Sequence, residues 1–210
     1  MSFFSCILFY YSLEYLVGGN MELFNNVKEI ENAYNIWDIS VEGFIEDLED
    51  AQRFVRSNIQ EMREFVREGI IQLGKDYAVY LQTLVLSPFD EDVTRPEALL
   101  GDIQFLKIQI GYARKSISFQ KEILNSMTED NYEETARLSD FCWDYYFMLE
   151  QQLQNRQVAT YHNIDCGFAD AIDFSTLEDI DNSFPLFSEF YQKQLSSIKN
   201  PKKIEKVKKM

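Results

Sequence analysis

The chain has 210 residues with 20 basic and 35 acidic side chains, a net charge of −15, which argues against nonspecific attachment of the body to nucleic acid or anionic membrane. It is 46% hydrophobic and 15% aromatic, too apolar for a disordered chain and long enough for one domain with a sizeable core. His162 is the only histidine, so metal or catalytic schemes that need two are excluded. Cys6, Cys142 and Cys166 make neither a C-x-x-C nor an even framework, which points to a reducing cytoplasm.

Residues 1–20 read as an apolar extension. Phe3 to Val17 lacks a basic leader and a small-residue cleavage site, carries Glu14, and falls short of the ~20 residues of a membrane helix. Gly18-Gly19-Asn20-Met21 is what a purine-rich ribosome-binding site gives when translated in frame, which points to Met21 as the start. An ordinary buried helix is the second reading and a membrane anchor the third. Residues 21–198 form the expected bundle domain and 199–210 a Lys-rich tail.

The bundle opens with a helix from Met21 to Trp37, marked by Leu23, Val27, Ile30, Tyr34 and Trp37 at steps of four and three. Asp38 and Ser40 offer caps for the next segment. That segment, Ser40 to Leu86, carries Val41, Phe44, Leu48, Ala51, Val55, Ile59, Met62, Val66, Ile70, Leu73, Tyr77, Tyr80 and Leu84. The steps alternate threes and fours, the pattern of a helix packed along its length on others, and the span predicts roughly 70 Å. Gly69 and Gly74 mark a bend or a close backbone approach.

After a loop with Pro88, Asp90, Glu91 and Asp92, Thr94 and Glu97 with Pro96 form a capping box. The helix it starts carries Leu99, Ile103, Leu106, Ile110, Ala113, Ile117 and Leu124. Asp130 and Glu133 form a second box before a helix from Asn131 to about Tyr161, with Tyr132, Ala136, Cys142, Tyr145, Leu149 and Leu153. Ser175 and Glu178 form a third box for a short helix. Ser183 with Pro185 opens another, carrying Phe187, Phe190, Tyr191, Leu195 and Ile198. None of the four prolines falls inside a periodic segment, as the cost of interior Pro demands. No strand alternation and no repeat appears. The expected fold is all-α: an elongated antiparallel helical bundle with coiled-coil-like packing around one long central helix.

Four constellations stand out. Arg53, Arg56, Arg63 and Arg67 lie within roughly 80° of one helix face, and Glu42, Glu46 and Glu49 precede them there. Intra-helix pairs such as Glu49 with Arg53, plus bridges to the acidic fourth helix, account for them as surface chemistry. An anion- or partner-docking ridge is the functional reading. The residues from Phe141 to Leu149 point all round the helix, so the run is either central in the bundle or buried on a second copy or partner, with a ligand pocket as the third reading. Trp143, Tyr146 and Phe147 are the candidates for that interface. No Lys or Arg occurs from Gln157 to Gln192, where seven acids lie. Asp165, Asp170 and Asp173 lack calcium-loop spacing, so a solvated segment or an acidic surface that captures a basic partner is expected there. Six Lys and one Glu in residues 199–209 give the tail +5, which leaves −20 on the remainder. The tail is a frayed terminus or a polybasic contact for anionic lipid or nucleic acid.

No phosphate-binding glycine loop, dinucleotide fingerprint or nucleophile elbow is present. Cys142 and His162 stand twenty residues apart in sequence with nothing local to poise the thiol. The expectation is therefore a non-enzymatic cytoplasmic protein–protein interaction or assembly protein, self-associating, with no catalytic, cofactor or metal site. An acidic inhibitor that occupies a basic nucleic-acid-binding surface is the alternative, and a membrane-surface helical module is the third. Its partners would be a second copy or another protein. Membrane contact is expected only through the apolar extension or the Lys tail.

Overall fold

The computed structural model describes residues 23–37, 45–86, 96–165 and 178–200. Five helices and no strand occur among them: α1 Val27–Asn35, α2 Leu48–Leu86, α3 Pro96–Ser126, α4 Tyr132–Asp165 and α5 Glu178–Lys199. The all-α bundle expected from the periodicity is present. Residues 1–22 and 201–210, the caps Asp38, Ser40, Thr94 and Ser175, and Val41, Phe44 and Pro88 lie outside the described residues.

Local side-chain chemistry sets the helix starts, and it differs from the expected boundaries. α1 begins at Val27 rather than Met21, because Asn26 caps it: its Oδ1 accepts from the Glu29 amide at 3.0 Å, while the Glu29 carboxylate accepts from the Asn25 amide at 2.9 Å. This reciprocal N-x-x-E arrangement satisfies amides that the first turn leaves orphaned. At its other end Arg137 of α4 donates to the carbonyls of Trp37 at 2.9 Å and Tyr34 at 2.6 Å, closing the helix with a cation at the negative end of its dipole.

α2 begins at Leu48, with Asp47 accepting from the Asp50 amide at 2.9 Å. Its 39 residues span roughly 58 Å, shorter than the ~70 Å expected. α4 starts after Asn131 rather than after an Asp130 cap. The Asn131 carbonyl accepts from the Thr135 amide at 3.0 Å, and its side chain accepts from the Thr128 amide at 2.8 Å. The expected break near Pro185 is absent: α5 runs through it. A proline there removes one backbone donor and presses on the preceding turn, while Phe184, Phe187 and Phe190 around it are buried in the core. That burial holds the helix continuous.

α2 runs the length of the bundle and packs on α3 and α4. The most buried helix is α4, which touches α2, α3 and α5. α3 and α4 are joined by the short turn at 127–131 and run antiparallel, so Gln120 pairs with Ser139 near that turn and Gln157 with Asp102 far from it, each at 2.8 Å. α2 lies parallel to α4: the Tyr132 hydroxyl donates to the Glu46 carbonyl at 3.3 Å, and Asn58 donates to Ser139 Oγ at 3.3 Å. Gln120, Ser139 and Asn58 thus tie three helices through polar groups buried in an otherwise apolar seam.

α1 and α5 thicken only one half of this three-helix frame. Phe187 stacks on Tyr145 at 3.9 Å, Tyr191 meets Phe119 at 4.3 Å, and Tyr34 meets Phe141 and Phe190 edge-on at 5.3 and 5.4 Å. Such geometry adds to the area term of aromatic burial. These contacts sit beside the first half of α2, where Ala51, Val55, Asn58, Ile59 and Met62 are buried. The second half of α2 meets chiefly α3, with Gly69 against Ile110 and the Lys107 ammonium over the Tyr77 ring at 5.2 Å. The seam expected along all of α2 therefore holds through Met62 and weakens beyond it. Ile70 and Leu84, expected inside, are exposed.

Candidate functional site

The aromatic run resolves into core and edge. Phe141, Cys142, Tyr145, Tyr146, Met148 and Leu149 are buried. Tyr146, expected at an interface, faces inward against Phe65 at 6.4 Å. Trp143 and Phe147 pack on each other at 5.5 Å and on the core, and both are half-buried. One helix in contact with three others hides most of its circumference, so the run is consumed largely within the bundle.

The same burial shifts the titratable groups of the run. Burial pushes the Cys142 thiol well up, and Asp140 adds to the shift; a thiol held protonated is a poor nucleophile. Asp144 lies one turn from Asp140 on the same side of α4. Burial pushes its carboxyl well above the usual carboxylate range, with Asp140 adding to the shift. Asp140 accepts from the Trp37 indole at 3.0 Å, whereas Asp144 Oδ2 is buried with no hydrogen-bond partner. Among the described residues no group of three His, Cys, Asp or Glu side chains comes together to hold a metal.

The arginine row lies on the outer face of α2, in solvent. Arg53 pairs with Asp50 at 3.0 Å and Glu49 at 3.9 Å, Arg56 donates to Gln52 at 3.1 Å, and Arg67 pairs with Glu68 at 3.7 Å. All of these partners belong to α2. The bridges expected from this row to the acidic fourth helix are absent among the described residues, because the row points away from α4.

Beyond Arg67 the same face turns apolar, a change that the buried seam's periodicity does not reveal. At 100° per residue, Arg53, Arg56, Arg63 and Arg67 share one arc of about 100° with Ile70, Ile71, Gly74, Ala78, Leu81 and Val85. Positions 70, 74, 78, 81 and 85 step by four, four, three and four, an apolar stripe roughly 22 Å long. It is a second stripe, turned about 110° from the buried line through Val55 and Met62. Ile70 is 45%, Ile71 50%, Leu81 61% and Val85 67% exposed. Gly74 and Ala78 are exposed between them, and nothing lies within 4 Å of where a Gly74 Cβ would stand. The outer face of α2 is thus basic along its first half and apolar along its second. The signal was present in sequence: Ile71, Ala78, Leu81 and Val85 are among the apolar residues that the first stripe leaves over, and they share one face.

No described helix is long and apolar enough to cross a membrane. Comparison with family models, with curated proteins and with solved structures finds no match for this chain.

Proposed function

We propose that this chain is a non-enzymatic protein–protein interaction or assembly protein whose working surface is the outer face of the second half of α2. The observation that carries this reading is the stripe Ile70, Gly74, Ala78, Leu81 and Val85, exposed at helical spacing on a helix already packed on its other side. Contiguous apolar patches of this size on a protein surface mark contact sites. Helix-on-helix docking reads such positions at steps of three and four. Of the interface candidates on α4, Tyr146 is buried in the bundle and Trp143 and Phe147 are half-buried at its edge.

The acidic-decoy reading has less support. It rests on the seven acids of residues 157–192, of which Asp170 and Asp173 lie outside the described residues.

The test is photo-cross-linking in native extract from a benzophenone side chain placed at Ala78, with Gln72 on another side of α2 as the control. Protein adducts from position 78 and none from position 72 are expected. No adduct from position 78 refutes the proposal.

A further inference from the structure

We infer that the occupant of this face is a second copy of the same chain, its α2 antiparallel to the first about a two-fold axis through Ala78. This rests on the reading of the face as an interaction surface and names what docks there.

The stripe is complementary to itself in the antiparallel direction. With the axis at Ala78, the large Leu81 of each copy falls opposite Gly74 of the other, where a Cβ would meet nothing within 4 Å. Val85 falls opposite Ile70 and Ile71, and the two Ala78 residues meet at the axis. Large side chains enter places left by small ones, the knob-and-hole logic of paired helices. Gly74 and Ala78 let the two backbones approach. A parallel pair would set Leu81 on Leu81 but also Gly74 on Gly74, leaving a gap at that level.

Charge selects the same direction. A parallel pair stacks four Arg of one copy on four of the other. In the antiparallel pair the two Arg67 side chains stand roughly 33 Å apart along the axis, more than three Debye lengths at ~0.1 M salt. Each Arg67 then stands about 4.5 Å past the end of the other copy's last α2 turn. That turn ends at Leu86 and contains no basic residue, so its carbonyl end offers partial negative charge to an incoming cation. Along the apolar part of the outer arc no charged residue intervenes. The exposed apolar surface there is on the order of 500 Å² per copy, roughly 1,000 Å² for the pair, which reaches the lower bound of specific interfaces.

The full-length chain is measured by size-exclusion chromatography with light scattering from 1 to 100 µM, alone and as Leu81→Lys with Val85→Lys. Twice the chain mass at the upper concentrations is expected for the natural chain. The double variant should keep its helix content and pair about 100-fold more weakly.

Direction is read by disulfide trapping in a Cys6→Ser, Cys166→Ser background. Ala78→Cys should cross-link two chains on oxidation. Val85→Cys should not, because its two copies lie roughly 21 Å apart along the axis. Cross-linking at both positions indicates a parallel pair and overturns the geometry. A monomer at 100 µM overturns the second-copy assignment. If its position-78 photo-adduct then falls within its own residues 1–20, the cover is intramolecular and the interaction reading falls too. If the adduct is to a foreign protein, the interaction reading stands and only the second copy is refuted.

Discussion

Gly69 gives the sharpest test of how α2 and α3 meet. A Cβ added there would lie 3.0 Å from Ile110 Cγ1, 3.2 Å from Ile110 Cδ1 and 3.6 Å from Leu106 Cδ1. Carbon pairs sit best at about 3.5–4.0 Å, so the neighbour must yield by about half an ångström. Ile110 is buried, and its Cγ1 lies at the stem of a β-branched side chain with few rotamers to choose from. Overpacking of this kind costs about 1–3 kcal/mol. Against it stands the gain of about 1 kcal/mol when Ala replaces Gly inside a helix. Gly69→Ala should therefore range from neutral to a loss of about 2 kcal/mol.

Gly111→Ala on α3, where nothing lies within 4 Å, should show the gain alone, about 1 kcal/mol. The gap between the two variants, about 1–3 kcal/mol, corresponds to about 2–12 °C in melting temperature for a chain of this size. Combining Gly69→Ala with Ile110→Ala removes the opposing atoms, so the double variant should be more stable than the sum of the two single changes. Calorimetry or urea denaturation of the four proteins reads this directly. If Gly69→Ala stabilises as much as Gly111→Ala, or shows no coupling to Ile110, the backbones do not approach as described.

Ile59→Ala should cost about 2–5 kcal/mol by opening a cavity in the buried seam, while Gln60→Ala on the exposed side should stay within about 0.5 kcal/mol; equal melting temperatures would refute the helical phase of α2. Ser139→Ala leaves Asn58 Nδ2 and Gln120 Oε1 without their buried partner and should cost about 1–3 kcal/mol in urea denaturation; a silent variant would show that the three-helix polar tie is not formed. Asp144 holds its proton more tightly in the folded chain than in the unfolded one. Its stabilising effect is complete below the ordinary Asp value of about 3.9 and is lost as pH rises through the raised value. Asp144→Asn should therefore gain stability relative to the natural chain as pH is raised from about 4; parallel stability curves for the two proteins would count against a buried, proton-bearing Asp144.

Helix identity was legible because periodicity is local. Apolar residues at steps of three and four, with few Gly and Pro, leave a chain no simple way to bury them except as helices. Val55, Ile59 and Met62 were read as core on that basis and are buried. Exact starts were less legible, because several polar residues compete to cap each helix and only one geometry is adopted. Asn26, Asp47 and Asn131 hold those places. The path of α5 through Pro185 likewise follows from the packing of its aromatic neighbours, which local propensity does not contain.

Which stripe is covered was a tertiary matter altogether. The second half of α2 is apolar on two sides, and the sequence by itself determined that both exist. It could not rank Ile70 against Met62, since both fit one spacing. α1 and α5 settle beside residues 112–122 of α3 and 137–145 of α4, which thickens one half of the bundle and, among the described residues, leaves the other thin. Burial depends on how many neighbours the fold brings to each level along a helix. That count decided that most of the aromatic run of α4 lies inside, with Trp143 and Phe147 at its edge, and that Leu81 and Val85 lie outside.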